Sequence, residues 1–325
     1  MTKTTDVTAA HLTVWHLLPD RWRRTLRAKA ISPQTEDGYL STARRWADWL
    51  VADGLDLEPE EVRDCDVEDF IAGIVVATSA ANAAFHYRNL RVYFGWLVKR
   101  KEITTGNPMA TIDPPKVPEK LTPVFTAGDH VRLMDACAGE NFLALRDKVL
   151  ILLFTDTGAR VSEIAKLDLD SITPGASLAK VMGKGSKERL VGYTPDTALA
   201  LTRYVEARQK LADERGVASS RLWLGQWGRP LSVHGVQTML CRRGERAGVA
   251  NVHAHRFRHT YAHDWMINQG SNEGLMATGG WSSFKMVEHY GKVARASRAL
   301  AEQQQIMLRR ATNAGIASPT STTTA

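Results

Sequence analysis

The chain has 325 residues, 44% hydrophobic and 24% charged, which is enough for two ordinary globular domains. No apolar run approaches the ~18 residues of a membrane helix, and the start, MTKTTDVTAAHLTVWHL, lacks the basic, apolar, small-residue order of a secretion signal, so a cytoplasmic protein is expected. Three widely spaced cysteines fit neither a disulfide framework nor a zinc cluster, and the net charge of +7 favours a polyanionic partner.

The charge is uneven: residues 119–325 carry a net +8, whereas residues 1–118 carry −1, with nine carboxylates gathered in 53–69. The first twenty residues suggest no clear element, and RWRRTLRAKA (21–30) is a basic, helix-compatible run. SPQTEDGYLSTARRWADWLVADG predicts a helix over 32–54, with Ser32 as cap, Pro33 in the first turn and Gly54 at the end. Its buried stripe is Tyr39, Ala43, Trp46 and Leu50. The acidic segment 58–74 reads as a short helix. Residues 79–101 read as a long one, with Tyr87, Leu90, Phe94 and Leu97 inward. Arg44, Arg45, Arg88, Arg91, Lys99 and Arg100 lie off these stripes. Each is either a polyanion contact or a solvated charge.

Proline-rich NPMATIDPPKVPEKLTPVF (107–125) reads as an extended interdomain linker. Four parts are therefore expected: an N-terminal segment with a helical domain (1–106), a linker (107–122), a second domain (123–312) and a disordered tail (313–325). Within the second domain, Thr126 caps a helix over TAGDHVRLMDAC, and 142–167 reads as two helices broken at Thr157-Gly158. SLAKVMGKGSKERLVGYT (177–194) alternates and turns at Gly183–Ser186, a β-hairpin. Helices are expected over 195–214, 232–247, 254–268, 283–290 and about 295–311. The fold class is thus mainly α with a small β-hairpin or sheet, and no internal repeat is visible.

Four stretches carry candidate chemistry. Arg160 follows a Thr-Gly break at a helix start, where a guanidinium near free backbone N–H groups suits an anion; Glu163, one turn on, would brace or neutralise it. Lys184 sits between two glycines in GKGSKER at the hairpin tip. HAHRFRHTYAHDW (253–265) holds four of the ten histidines, and His255, His259 and His263 fall four apart, a helical stripe that suits a metal, a phosphate or a core. His255 and Arg258 share a face and could grip one phosphate. In GGWSSFKMVEHYGKV, Trp281 and Tyr290 flank a short helix; a tyrosine hydroxyl attacks phosphorus if its proton is taken and the phosphate charge is clamped. Singly, each residue is as well explained by packing or solvation.

Together, Arg160 in TGAR, Lys184 in GKGSKER, His255 and Arg258 in HRFRHT, Trp281 in GGWSS and Tyr290 in VEHYGKV make the chain resemble the tyrosine recombinase, or phage integrase, family from about residue 30 to 305. One departure is that many members carry LGH where this chain has GGW; an indole N–H can still donate to a phosphate oxygen. The resemblance implies a two-domain DNA clamp, with a helical core-binding domain and a catalytic domain. It implies that Tyr290 attacks a DNA phosphodiester to form a 3′-phosphotyrosyl link. Arg160 and Arg258 would hold the non-bridging oxygens, Lys184 protonate the departing 5′-oxygen, His255 assist proton transfer and Trp281 donate to the phosphate. Glu163 and His259 would stand behind them, with His259 otherwise supporting its helix; His263 is expected to be structural and Arg256 to face away.

No cofactor or metal is implied, because the bond energy is kept in the phosphotyrosine. The partners implied are double-stranded DNA at specific sites and a homotetramer on two duplexes. Residues 296–311 would dock on the next protomer. About 30 residues precede the first clear helix, too few for a further arm-binding domain. The GGW triplet and the N-terminal segment favour an integrase of a phage or mobile element over an Xer-like resolvase of replicon dimers. A type IB topoisomerase would use the same constellation without strand exchange, and a non-cutting DNA-binding regulator would form no covalent adduct.

Overall fold

A computed structural model describes residues 14–118, 123–183 and 187–313, excepting the side chains of 174, 285–286, 288–297, 301 and 312–313. The chain divides into two units, Met1–Lys120 and Leu121–Ala325.

In the first unit, α1 (Val14–Ala28), α2 (Pro33–Ala52), α3 (Asp64–Ala77) and α4 (Ala80–Lys99) surround one aromatic core. Ser32 caps α2 by accepting from the Thr35 N–H, and Ser79 caps α4 by accepting from the Asn82 N–H. Ala43, Trp46 and Leu50 face inward as their spacing predicts, and so do Tyr87, Leu90, Phe94 and Leu97; Tyr39, expected in the same stripe, is only half-buried, stacked on Trp22 at the edge of the core. The basic run at 21–30 forms the second half of α1, which is a core helix: Trp15, Leu18, Trp22 and Leu26 are all buried. Each buried indole stabilises on the order of 3 kcal/mol by area alone. Met109 and Ile112, within the stretch read as linker, are buried in this same core.

In the second unit, α5 (Ala127–Asp135) starts on a reciprocal Thr126–Asp129 capping box. α6 (Phe142–Thr157) is apolar on most of its circumference, and it is accordingly a central helix packed on α8 (Pro195–Arg215) and α10 (Ala254–Ile267). After α7 (Val161–Ala165), a short strand β1 (Ile172–Thr173) pairs with the expected hairpin, β2 (Leu178–Met182) and β3 (Glu188–Gly192), in an antiparallel sheet of order β1-β2-β3. α9 (Val233–Ala247) packs on α5 and α7. Two points differ from the sequence reading. An unforeseen helix, α11 (Asn272–Gly279), caps on Ser271 and ends at left-handed Gly280. The two C-terminal helices expected over 283–290 and 295–311 are one, α12 (Phe284–Asn313), because nothing between them breaks the backbone: no proline lies in the span, and Gly291 alone costs only about 1 kcal/mol. The tail from 314 lies outside the described residues.

Candidate active site

The site is built around the turn at Gly158. This residue ends α6 with φ of +55°, the left-handed conformation that glycine adopts without strain. A Cβ there would meet the Tyr261 ring at 2.5 Å, so the chain passes the α10 surface only as glycine. The turn presents the Gly158 carbonyl to α10, where it accepts a hydrogen bond from Arg258 Nη1 at 2.9 Å.

Two residues later Arg160 caps α7. Its N–H donates to Glu163 Oε2 at 2.8 Å, so that donor is taken and not left for an anion as the sequence suggested. Arg160 Nη1 donates to Glu163 Oε1 at 2.9 Å, and Nη2 to the Gly280 carbonyl at 2.8 Å. Glu163 is only 3% exposed. A second arginine reaches it from β3: Arg189 donates Nη1 to Oε1 at 2.9 Å and Nη2 to Oε2 at 2.8 Å, and its Nε donates to the Thr278 carbonyl at 2.8 Å. Burial alone would raise the Glu163 pKa, but the hydrogen bonds from Arg189 and from the Arg160 N–H outweigh it, so the carboxyl is held below its ordinary value.

The third element of the site is helix α10, opened by the His253 side chain accepting from the Arg256 N–H. Arg258, 4% exposed, lies over the Trp281 ring, its guanidinium carbon 3.6 Å from the centroid. Trp281 is itself buried, and the two glycines before it make that possible. A Cβ on Gly279 would fall 1.8 Å from the indole, and left-handed Gly280 aims its carbonyl at Arg160. The GGW triplet is thus a packing unit in which the indole supports a guanidinium. His255 is accessible, and its ring meets His259 edge-on at 4.4 Å. Desolvation, then the charges of Arg258 and His253, hold the His255 pKa below its ordinary value. Among the described residues no group of three or more His, Cys, Asp or Glu is placed to hold a metal ion. Arg256 does point away, but inward: it is 8% exposed, donates to the Ala250 and Val124 carbonyls and covers the Phe125 ring at 4.0 Å. His263 contacts Asp264 at 3.1 Å.

The structure therefore brings Arg160, Glu163, Arg258 and Trp281 together, with His255 and His259 beside them. Lys184 lies outside the described residues, between Gly183 and Lys187 at the hairpin neck. Tyr290 lies on α12, nine residues after Trp281 and three after buried Val287; its side chain is outside the description. Arg189 and Tyr261 were missed by sequence reasoning. For Arg189 a signal existed: it pairs with Val181 across the hairpin, on the face that also holds buried Val191, while Leu190 points outward at 59% exposure. A charge in an inward register position needs a partner. The six residues predicted to contact DNA are all exposed on or next to α2 and α4. Three have neighbours of their own: Arg44 lies 3.6 Å from Asp20, Arg91 donates to the Tyr87 hydroxyl and Arg100 to the Thr25 hydroxyl.

Comparison with known proteins places the chain in a family. The Phage integrase family pattern matches residues 123–297, and the Phage integrase N-terminal SAM-like domain matches 18–103. The tyrosine recombinase XerD of Bifidobacterium longum is 31% identical over 243 residues, 72% of this chain and 78% of that protein. Two solved structures share the fold. XerH bound to a palindromic difH substrate has a TM-score of 0.70 at 16% identity, over 87% of this chain and 82% of that one. A lambda integrase dimer on a COC′ core site has a TM-score of 0.64 at 20% identity, over 85% of this chain and 94% of that one.

Proposed function

The chain belongs to the phage integrase family and is a tyrosine-type site-specific recombinase acting on DNA, and from that premise we propose that it is the integrase of a phage or mobile element, with Tyr290 as its nucleophile. The observation that carries the assignment of the site is the convergence of Arg160 and Arg258, from helices almost 100 residues apart, on the turns at Gly158 and Gly280. In the proposed reaction the Tyr290 oxygen bonds to phosphorus and the bond from phosphorus to the 5′-oxygen breaks. His255 takes the tyrosine proton and Lys184 supplies one to the leaving oxygen, so a 3′-phosphotyrosine and a 5′-hydroxyl result. Arg160 and Arg258 offset the extra negative charge of the pentavalent transition state, and their guanidinium planes are already fixed before DNA arrives. Trp281 holds Arg258 in that plane and offers its N–H to the phosphate.

The test is to incubate the protein with sheared DNA of its source and sequence the fragments held in SDS-stable adducts. Paired sites flanking a mobile element are the expected result; no adduct at all would refute the enzyme reading. The XerD resemblance favours a second role, resolution of replicon dimers, which predicts instead a single inverted-repeat site per replicon.

The pH dependence follows from His255. A base held below the ordinary histidine pKa of about 6.5 stays neutral, and able to accept a proton, at pH values where a free imidazole is charged. The acid limb of the cleavage rate is therefore expected to have its midpoint below that value, and His255→Gln to remove the limb. A midpoint above it, unchanged by the substitution, would reject His255 as the base.

We also assign the partner to a homotetramer on two duplexes, with the core-binding helices contacting phosphate through Arg44, Arg45, Arg88, Arg91, Lys99 and Arg100. Support for assembly comes from the end of α12, where Leu300 and Met307, seven residues apart and so on one stripe, are 56% and 61% exposed. Leu300→Glu with Met307→Glu is expected to leave single-site DNA binding intact and to reduce the synapsed complex at least about tenfold, the ~1.4 kcal/mol equivalent of one lost apolar contact. Sedimentation of protein on two-site DNA measures it, and unchanged tetramer would remove α12 from the interface.

A further inference from the structure

Arg189 has no part in the reaction as proposed above, yet all three of its guanidinium nitrogens bond to the site or to the turn beside it. Its two Nη groups bind both oxygens of Glu163, and its Nε binds the carbonyl of Thr278. Its guanidinium also lies 3.0 Å from where a Cβ on Gly280 would stand. It thus ties together three stretches remote in sequence: β3, the α7 start with Arg160 and Glu163, and the turn that leads into Trp281. The hairpin neck joins them, since Gly183 donates to the Lys187 carbonyl at 2.8 Å and packs near both Glu163 Oε1 and Arg189 Nη1.

The charge count explains why a second arginine is needed. Glu163 alone beside Arg160 would form a closed neutral pair, and an arginine so paired has little field left for a phosphate. With Arg189 present, one carboxylate is shared by two guanidinium groups and the set carries a net +1. The surplus is on the accessible side: the Arg160 side chain is 36% exposed, against 13% for Arg189 and 2% for Glu163.

We propose that Arg189 is a positioning residue for DNA cleavage, neutralising Glu163 so that the charge of Arg160 remains available to the DNA phosphate while Glu163 still fixes its orientation. The inference rests on the recombinase reading and deepens it.

The test uses full-length protein and a nicked duplex carrying the site recovered from the covalent adducts, with single-turnover adduct formation as readout. Arg189→Met is expected to slow cleavage about 10- to 100-fold, the loss of a charge-assisted bidentate contact, with DNA affinity little changed. Glu163→Gln in the same chain removes the uncompensated carboxylate and is expected to return at least about tenfold of that loss. A purely structural role predicts the opposite, because the double variant has lost still more contacts. If Arg189→Met does not fold, Arg189→Gln, which keeps a donor without the charge, must show the same slowing and the same rescue. Wild-type speed in the folded single variant, or a double variant no faster than its single, overturns the proposal. Absence of any adduct from the wild-type protein would instead refute the recombinase reading on which it rests.

Discussion

Tyr290→Phe is expected to lower covalent adduct formation by on the order of 10⁴-fold or more, while DNA affinity stays within about twofold of wild type, ~0.4 kcal/mol. The change deletes one oxygen, and that oxygen is the atom proposed to bond to phosphorus. The arginines that hold the phosphate are elsewhere: Arg160 is anchored by Glu163 and Gly280, and Arg258 by Gly158 and Trp281. Binding and cleavage should therefore separate cleanly. The measurement is SDS-resistant adduct on nicked DNA, followed by peptide mapping of the modified tyrosine. Tyr261 is the alternative nucleophile, since it packs against Gly158 beside the site. Its hydroxyl is bonded to Thr278, and burial raises its pKa, so it is poorly suited to attack. An adduct that survives Tyr290→Phe, or that maps to residue 261, would reverse the assignment.

Asp147→Ala is expected to destabilise the second unit by about 3–5 kcal/mol, the cost of leaving buried charge unpaired. Asp147 is 4% exposed and is shared by two arginines. Arg146 donates Nε and Nη2 to Oδ1 at 2.8 and 2.6 Å, and Arg243 donates Nε to Oδ2 at 2.8 Å with Nη2 2.7 Å from the same oxygen. The remaining arginine donors are also bound, to the Leu224 and Ala136 carbonyls. The triad joins α6 to α9. Like the Arg160–Glu163–Arg189 set it places two guanidinium groups on one carboxylate, but both of its arginine side chains are nearly buried, at 8% and 12% exposed, so it offers no charge outward. Hydrogen exchange over 142–157 and 233–247 would locate the effect. A loss below about 1 kcal/mol, typical of an exposed pair, would show that the triad is not the closed unit described.

Local patterns were legible wherever their causes lie within a few residues. Ser32, Thr126 and Gly158 act as the caps and stops that their types predict, and the inward stripes of α2 and α4 follow the 3.6-residue period. The hairpin at 178–192 follows the period of two. α1 was less legible because its arginines dominate the composition, although Trp15, Leu18, Trp22 and Leu26 carry the apolar spacing. α11 was missed because NEGLMATG is short and glycine-containing, and its stability comes from packing on α10 and α12 rather than propensity.

The sequence by itself determined the order and spacing of the reactive set, from Arg160 to Tyr290, because the residue types that handle a phosphate are few and their register is unusual by chance. It also determined that Gly158, Gly279 and Gly280 stand where they do. Only the tertiary structure decided what those glycines are for: passage past Tyr261, room for the Trp281 indole and the aim of a carbonyl at Arg160. It likewise decided that Arg256 is an inward anchor, that Trp281 underlies Arg258, and that Arg189 shares Glu163 with Arg160. The Arg258–Trp281, Arg189–Glu163 and Arg256–Val124 contacts join residues 23, 26 and 132 positions apart, beyond the reach of any helical or strand period, so they exist only once the chain has packed.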